Sequence, residues 1–543
     1  MKELKLSNQL WSDASDWESA GIRLPAFSRP QMVQKTLITP QWIHFGAGNI
    51  FRSFLASLQQ LLLDRGLTET GVIAAEAFDG AILDTVYRPY DNLSLVVLMA
   101  PDGSLFNSVN AAVADSVSVG ENDGEWRRLV EMAETPSLQM ISFTITEKGY
   151  GLTSPQGEYL PVVQEDIQNG PARPKTMMGI AASLLFSRFR AGGTPLALVS
   201  MDNCSHNGEK LQQSVCKIAG EWKARGFVPQ EFTEFLNDPE KVSFPWTMID
   251  KITPRPSEKV AEKLRGIGFA DTEIFVTEKH SCVAPFVNAE IPQYLIIEDR
   301  FPNGRPPLEE AGVIFTDRET VNQSERMKVC TCLNPLHTAL AVFGCLLGYR
   351  SIASEMEDPF LRTLVETIGK KEGMPVVEDP KILNPAEFLR EVVEQRLPNP
   401  YIPDTPQRIA CDTSQKMAIR FGNTIRAYCE RSELDPADLV GIPLAIAGWL
   451  RYLMGIDDTG APMEISPDPL LPYLQKELSG VTLGEPNSVG NHLSALLQNR
   501  QIFGVDLTEA GLSGKITDYF TEMIAGNGSV GTTLGKHLPA DKA

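Results

Sequence analysis

The sequence predicts an α/β N-terminal domain built on a doubly wound, largely parallel sheet, followed by a mainly α-helical C-terminal domain. Up to about residue 299, short apolar segments typical of strands alternate with segments of helical period. Strands separated by helices form parallel sheets. Beyond that point the strong patterns are all helical. With 543 residues, the chain is long enough for two domains of roughly 200–300 residues each.

The first domain is expected to contain six strands, at residues 42–45, 72–75, 95–99, 140–146, 196–201 and 273–277. Helices are expected between them at 53–65, 177–191 and 210–224. Residues 1–35 are mixed and carry several prolines, which predicts a lead-in rather than a core element. The turn-forming stretch RFPNGRPP begins at Arg300 and predicts the boundary, so the domains span 1–299 and 300–543.

The second domain is expected to contain six prominent helices, at residues 336–348, 359–368, 385–395, 414–431, 439–454 and 507–525. The C-terminal stretch AGNGSVGTTLGKHLPADKA is rich in glycine and small residues. Such a composition is typical of a loosely held chain end. We therefore expect no core element there.

Charge and cysteine usage narrow the classes of partner. Lys and Arg number 49 and Asp and Glu 69, a net charge of −20 without any dense basic tract, so nucleic acid and anionic membranes are poor partners. The only close pair among the eight cysteines is Cys330/Cys332, with no second pair to complete a zinc site, and His206 and His280 have no ligand-like spacing. Without a secretory leader or a run of about 18–20 apolar residues, we expect a soluble, cytoplasmic, metal-free protein with reduced thiols.

A glycine pair separates the first strand from the first helix in WIHFGAGNIFRSF. Glycine at this point permits a tight turn and lets backbone N–H groups approach a pyrophosphate at a helix N-terminus. The pattern predicts a Rossmann-like dinucleotide site, although the third position of GxGxxG is not glycine, and an ordinary βα turn is the alternative. The predicted cofactor-binding residues are Gly46, Ala47, Gly48, Asn49, Ile50 and Phe51.

Polar residues at other strand ends extend this predicted site. Glu76 ends the second strand, where an acid can bind a ribose 2′-hydroxyl and favours NAD over NADP; Asp79 is its rival. A methyltransferase could use the same glycine turn and acid to bind the ribose of its own cofactor. Two further strands deliver polar residues to the same edge of the sheet: Thr146, Glu147 and Lys148 after one, Asp202 and Asn203 after the next.

Seven motifs follow one another in order between about residue 40 and about residue 470: HFGAGNIFRSF, TITEKGY, MDNCSHNG, FPWTMIDKITP, EDRFPNGRPP, ERMK with LNPLH, and GIDDTGAP. Together they resemble the long-chain polyol dehydrogenases, a family that includes mannitol 2-dehydrogenases, fructuronate reductases and tagaturonate reductases. The resemblance implies an NAD(P)-dependent, metal-independent enzyme that interconverts a ketose or keto-sugar acid with its alcohol.

The resemblance also assigns roles to residues at matching positions. Lys328 resembles the catalytic acid/base, and Asn203 and Asn334 resemble the amides that polarise the carbonyl group. Glu325 resembles an acid that gates the passage of protons and water. Substrate contacts are implied for four more residues: His337, Asp250, Arg408 and Lys416.

These residue types suit ketone reduction, because hydride addition leaves an alkoxide that must be stabilised and protonated. Preorganised amide donors are worth very roughly 3 kcal/mol each toward a developing oxyanion. Lys328 as an ammonium would supply the proton, and Lys148 is the rival lysine. A carboxylate substrate would favour a bidentate cation, for which Arg408 is the candidate.

Two departures from the family pattern stand out. Asn334 and His337 follow Lys328 by six and nine residues, whereas the family uses five and eight. One extra residue turns a regular helix by about 100°, so we expect either a bulge or a helix that starts afresh with Asn334 as N-cap and Pro335 at N1. The second departure is an apparent insertion, KHSCVAPFVNAEI, after VTE.

The N-terminal stretch and the insertion resemble uronate-pathway members of the family. This resemblance implies reduction of D-fructuronate to D-mannonate with NADH, by a monomer or homodimer. Mannitol 2-dehydrogenase and tagaturonate reductase activities stay open, and more remotely a methyltransferase or a non-catalytic sugar-acid sensor.

Overall fold

The computed structural model describes residues 3–120 and 122–538 and divides the chain into two compact units. The first runs from the start of the described chain to Met99 and again from Ser104 to Asn322. The second comprises Ala100–Gly103 and the chain from Gln323 onward. This division lies downstream of the boundary predicted at residue 299, because the strand Ile314–Thr316 still pairs with Tyr294–Glu298 of the first unit.

A six-stranded parallel sheet forms the centre of the first unit. Its strands are apolar and almost all buried, as strands covered on both faces must be. The spatial order reverses between Trp42–Phe45 and Met140–Phe143, the first and fourth strands of this sheet in chain order. This is the topological switch point where doubly wound sheets bind ligands. From one edge to the other the strands are Val113–Ser118, Val72–Glu76, Trp42–Phe45, Met140–Phe143, Leu196–Ser200 and Val242–Ser243.

Two hydrophobic clusters lie on the two faces of this sheet, and the alternation of side chains along a strand assigns residues to each. Trp42 belongs to one cluster, whereas Ile43 and Phe45, which are two residues apart and share a face, belong to the other. The predicted doubly wound α/β architecture is confirmed. The α-helices of the unit are Ala14–Ser19, Arg29–Ile38, Ala56–Asp64, Ala81–Val86, Asp123–Glu134, Pro161–Asn169, Met177–Arg190, Asn207–Ala224, Gln230–Asn237 and Glu258–Gly266.

Three smaller sheets complete the first unit. A four-stranded sheet has the order Ile22–Arg23, Leu105–Asn110, Ser94–Met99 and Phe286–Glu290. A three-stranded sheet has the order Thr247–Asp250, Tyr294–Glu298 and Ile314–Thr316, and a hairpin pairs Phe275–Val276 with Cys282–Val283.

Some of the predicted elements differ from the structure in their details. The strand expected at 95–99 is present, but it lies in the four-stranded sheet and not in the parallel one. The strand expected at 273–277 is reduced to two residues of the hairpin. The main-sheet strand Val113–Ser118 was not predicted. The expected lead-in is part of the folded unit, because Leu10, Trp17 and Ile22 are each at most 2% exposed.

The second unit is helical, as predicted. Its two most apolar helices, Asn334–Leu347 and Gly441–Tyr452, pack against each other. The Glu372 carboxylate accepts the first N–H groups of the latter helix, at 2.6–2.8 Å, because those groups have no partner within the helix. The other α-helices are Ile352–Glu355, Pro359–Glu366, Pro385–Glu391, Pro406–Ile409, Asn423–Glu430, Leu471–Glu477, Ser494–Leu497, Arg500–Phe503, Ser513–Met523 and Ser529–His537.

Five segments of the described chain are π-helical, which means that their backbone hydrogen bonds join residues five apart instead of the four of an α-helix. Such segments are rare and occur frequently at functional sites. They are Phe51–Leu55, Met327–Cys332, Thr367–Gly373, Val392–Arg396 and Ala418–Gly422.

The C-terminal stretch corrects a sequence expectation. Residues of the supposedly loose end form the helix Ser529–His537, in which Val530 and Leu534 are buried. The Asp458 carboxylate accepts the N–H groups of Val530 and Gly531 at 2.8 and 3.2 Å, so the helix is held at its start. Residues 539–543 lie outside the described residues.

One helical stretch, Arg318–Leu347, is long and apolar enough to cross a membrane by length and composition alone. Within its most apolar window, 78% of the residues are buried inside the protein. Burial of this kind is what a core helix requires.

Candidate active site

The glycine turn lies at the carboxyl end of the central strand. Gly46 has φ +106°, and a Cβ there would come within 2.1 Å of the Thr144 carbonyl oxygen, so only glycine fits. At Gly48 a Cβ would meet no protein atom within 4 Å, so the space in front of the turn is open. The chain then enters the π-helix Phe51–Leu55 directly, with Ile50 as its N-cap. The turn therefore combines a sharp bend with room for a ligand.

Behind the turn lie Phe51 and Arg52. The Phe51 ring stacks on His44 with centroids 4.3 Å apart, which explains why an aromatic residue takes the place of the third glycine. The buried Arg52 guanidinium donates to Asn49 Oδ1 at 3.0 Å and to the Ala284 carbonyl oxygen at 2.8 Å. Burial lowers the pKa of Arg52 to about 10. This arginine, which the sequence analysis did not single out, orients the turn through Asn49.

Glu76 connects the glycine turn with the turn that follows its own strand. Its Oε2 accepts the Ala47 N–H at 2.9 Å, and its Oε1 accepts those of Phe78 and Asp79 at 2.8 and 3.2 Å. A carboxylate has about four acceptor positions, so one is left for a ribose hydroxyl. In the structure, therefore, Glu76 stabilises both turns and keeps one acceptor position open.

A cavity of about 610 Å³ opens beside this carboxylate. One wall is the hairpin of residues 275–283, which includes the start of the apparent insertion. Thr277 Oγ1 donates to Asp79 Oδ2 at 2.6 Å, and Lys279 Nζ donates to the Phe78 carbonyl oxygen. The volume is in the range of small-molecule sites, about 300–1,000 Å³. Asp79 thus holds the hairpin in place and lines the same cavity as Glu76.

Thr146 has a strained backbone at the end of the strand Met140–Phe143. Its φ of 64° and ψ of 158° define a backbone conformation that β-branched residues rarely adopt. Asp202 holds this turn: its carboxylate accepts the N–H groups of Ile145 and Thr146, each at 2.9 Å, and the Tyr150 hydroxyl at 2.6 Å. Burial nevertheless raises the pKa of Asp202. Strain of this kind clusters at functional sites.

The remaining predicted residues of the first unit occupy neighbouring loops and strand ends. Glu147 and Lys148 are exposed in one 3₁₀ turn, and Glu147 pairs with Lys210. Asn203 is exposed in the loop directly after Asp202, whereas Asp250 is buried at the end of its strand. In the described residues, no group of three or more His, Cys, Asp or Glu side chains could hold a metal ion.

In the second unit, Lys328 lies in the π-helix Met327–Cys332 and is 2% exposed. The Leu333 N–H donates to the Lys328 carbonyl oxygen at 3.1 Å, which is the five-residue step of a π-helix. The α-helix Asn334–Leu347 follows, with Leu333 rather than Asn334 as its N-cap and Pro335 in the first turn. The extra residue between lysine and asparagine is therefore accommodated by a π-turn. Glu325 lies three residues before Lys328 and is partly buried, on the preceding α-helix Arg318–Arg326.

His337 is surrounded by charged groups. Its Nε2 lies 3.5 Å from Asp404 Oδ2. Burial lowers the pKa of His337 to about 4; Asp404 acts in the opposite direction, and the charges of Arg420, Arg408 and Arg396 lower it further. His337 is therefore neutral at pH 7 and can donate or accept a hydrogen bond.

The two predicted cations of this unit differ in surroundings. Arg408 pairs with Asp404, and 62% of its side chain is exposed. The Lys416 ammonium donates to two backbone carbonyl oxygens, and burial, followed by the charge of Arg420, lowers its pKa. Arg420 donates to Thr338 Oγ1, and burial lowers its pKa to about 10.

Sequence reasoning missed Arg420, Arg396 and Asp404, which belong to no quoted motif. Arg420 carried one usable signal: it follows Lys416 by four residues within the predicted helix 414–431, a spacing that puts two side chains on one face of a regular helix. Arg396 and Asp404 carried none, because nothing local indicates that these chain segments lie near His337.

Two family models match the chain, one to each part. The mannitol dehydrogenase Rossmann domain matches residues 40–310, and the mannitol dehydrogenase C-terminal domain matches residues 320–524. Together they cover the glycine turn, the strand ends and the Lys328 helix.

Two similar proteins cover most or nearly all of the chain. D-mannonate oxidoreductase of Thermotoga maritima is 52% identical over 533 residues, 98% of each chain. Polyol:NADP oxidoreductase of Gluconobacter oxydans is 30% identical over 81% of this chain and 86% of the relative.

Two solved structures share the fold. One is Pseudomonas fluorescens mannitol 2-dehydrogenase in a ternary complex with NAD and D-mannitol, with a TM-score of 0.70, 25% identity and coverage of 98% of this chain and 99% of that one. The other is a substrate-free D-sorbitol dehydrogenase, with a TM-score of 0.78, 23% identity and coverage of 96% and 98%. The latter likeness concerns the fold alone.

Proposed function

The chain belongs to the mannitol dehydrogenase family, and on that premise we propose that it reduces D-fructuronate to D-mannonate with NADH as hydride donor. The observation that carries this proposal is the 52% identity to a D-mannonate oxidoreductase over 98% of both chains. Two relatives named for polyols are far less similar, at 30% and 28% identity.

The residues of the glycine turn fit a dinucleotide. Gly48 leaves the front of the turn open, and Glu76 keeps one acceptor position for a ribose hydroxyl. When bound, NADH supplies the hydride that reduces the carbonyl carbon. The acids Glu76 and Asp79 at the adjacent cavity would repel a 2′-phosphate, which favours NAD(H) over NADP(H). We assign coenzyme contacts to the turn, Gly46 to Phe51, and to residues 146–148.

Lys328 is the proposed proton donor for the alkoxide that hydride addition produces. Lys328 lies in a π-helix and is only 2% exposed, so its ammonium is kept away from bulk water. Amide donors from Asn334 and Asn203 are proposed to polarise the carbonyl oxygen, and such donors act most strongly where water is excluded. Glu325 is proposed to pass protons to Lys328, three residues further along the chain.

The proposed substrate contacts are His337, Asp250, Arg408 and Lys416. His337 is neutral at pH 7 because burial lowers its pKa to about 4, so it can hydrogen-bond a sugar hydroxyl as donor or acceptor. We further propose a cytoplasmic enzyme, acting on a small-molecule substrate as a monomer or homodimer, without nucleic-acid or membrane partners.

Turnover with a substrate panel tests the proposal. Oxidation of NADH is followed with D-fructuronate, D-tagaturonate and D-fructose, and then with NADPH in place of NADH. We expect the highest kcat/KM for D-fructuronate with NADH. A preference for D-fructose would indicate a mannitol 2-dehydrogenase, a preference for D-tagaturonate a tagaturonate reductase, and binding without turnover a sensor.

A further inference from the structure

We propose that Arg420 binds the carboxylate of the substrate and thereby selects sugar acids over neutral ketoses. The inference rests on the proposed function and refines it, since Arg408 was the cation expected from the sequence. It starts from a difference between these two arginines: Arg408 pairs with Asp404, whereas Arg420 has no acidic partner among the described residues.

Arg420 is a largely buried guanidinium without a carboxylate beside it. Its side chain donates to Thr338 Oγ1, and in the part of the chain that the structure describes no acid lies within ion-pair distance of it. Two other arginines of this unit have acidic partners: Arg408 pairs with Asp404, and Arg326 pairs with Glu378 at 2.7 Å. A guanidinium taken out of water without a counter-charge is costly, so a bound anion would stabilise it.

The position of Arg420 links it to the proposed catalytic residues of the same unit. Thr338, its partner, directly follows His337, and Thr338 Oγ1 also donates to the Asn334 carbonyl oxygen at 2.9 Å. The π-helix Ala418–Gly422, which carries Arg420, packs against the π-helix that carries Lys328. Arg420 also lies close enough to His337 and Lys416 for its charge to lower the pKa of each.

Geometry favours arginine for this task. A guanidinium offers a planar fork that matches both oxygens of a carboxylate, which a hydroxymethyl group cannot match. Arg408 is less suited, because its guanidinium is already paired with Asp404 and most of its side chain faces solvent. Lys416 adds a second positive charge four residues before Arg420, close enough for the two charges to act on each other, which would reinforce the attraction for an acid.

The test compares a keto-sugar acid with the neutral ketose that carries a hydroxymethyl group in place of the carboxylate. The kcat/KM for D-fructuronate and for D-fructose is measured with wild type, Arg420→Met, Arg420→Lys and the control Arg426→Met. Arg426 is an exposed arginine six residues further on that donates to a backbone carbonyl. Thermal unfolding and NADH affinity are measured for each variant.

We expect Arg420→Met to lower kcat/KM for the acid by on the order of 100-fold, the scale of losing a charge-assisted, bidentate contact. The value for the ketose, NADH affinity and thermal stability should change little. Arg420→Lys, which keeps the charge but not the fork, should fall in between, and Arg426→Met should match wild type. Equal losses on both substrates, no loss on either, or a loss of NADH affinity would each overturn the assignment.

If the proposed function is wrong, the wild type itself does not reduce D-fructuronate, which distinguishes this outcome from an error in the role of Arg420. Calorimetric titration of the NAD complex with D-mannonate and with D-mannitol then still tests Arg420. Binding of the acid that Arg420→Met weakens on the order of 100-fold supports the inference, and binding of the acid that the variant leaves intact, or no binding of the acid, overturns it.

Discussion

Replacing Asp202 by alanine should weaken coenzyme binding much more than it destabilises the fold. The Asp202 carboxylate holds the N–H groups of Ile145 and Thr146 and the Tyr150 hydroxyl. Two backbone donors that lose this acceptor cost about 1 kcal/mol each, the low end of the range because water reaches this loop. Thr146, released from φ 64°, recovers about 1–3 kcal/mol of strain, so the net change in unfolding free energy is small.

The Asp202→Ala substitution should instead lower the affinity for NADH. If NADH needs the strained turn, its binding must restore that strain, about 1–3 kcal/mol. At 1.4 kcal/mol per tenfold, this corresponds to a loss of affinity of roughly 5- to 140-fold. NADH fluorescence titration measures the affinity, and urea unfolding measures the stability.

The chain offers a matched control in Asp358. Its carboxylate likewise accepts two backbone N–H groups, of Phe360 and Leu361, and a tyrosine hydroxyl, of Tyr349. Asp358→Ala should therefore cost stability at the start of its helix without changing NADH affinity. Unchanged NADH affinity in Asp202→Ala, or an equal loss in Asp358→Ala, would refute the reasoning.

Three further predictions follow from other features of the site. Glu76→Ala, which removes the acceptor shared by two turns, should raise KM for NADH and narrow the preference over NADPH; comparable wild-type efficiency with NADPH would contradict the assignment. The lowered pKa of His337 favours its neutral form in the folded state, so its contribution to stability is present above about pH 6.5 and is lost as the pH falls through about 4; the stability difference between wild type and His337→Gln, measured by urea unfolding, should shrink over that window. Prolonged EDTA treatment should leave NADH oxidation unchanged, and a loss that zinc restores would count against metal-independent chemistry.

Local patterns predicted the central part of the fold well. The apolar run before Gly46 and the glycines themselves are enough to indicate a strand, a tight turn and a helix, because a strand buried on both faces must be continuously apolar. The strand Val113–Ser118 escaped prediction because its polar members, Asp115, Ser116 and Ser118, interrupt that pattern. Its place at the edge of the sheet, with a single neighbouring strand, tolerates them.

Features that depend on distant residues could not be predicted in the same way. The helix Ser529–His537 reads as a loose end by composition, yet Asp458, about seventy residues earlier, caps it. The π-turn at Lys328 changes the hydrogen-bond register without changing the apolar pattern. The sequence around Arg420 is that of an ordinary helix surface, and only the fold shows that its guanidinium is largely buried next to Thr338.

The proton-donor role of Lys328 is the central claim, and the rate of hydride transfer in a single turnover tests it most directly. Lys328→Ala should slow reduction of D-fructuronate by on the order of 10²–10⁴-fold, the usual scale of general acid catalysis, while NADH affinity stays near that of wild type. An added primary amine should restore part of the rate, because it replaces the missing acid. An unchanged rate in Lys328→Ala, together with a large loss in Lys148→Ala, would contradict the account and move the proton donor to the first unit.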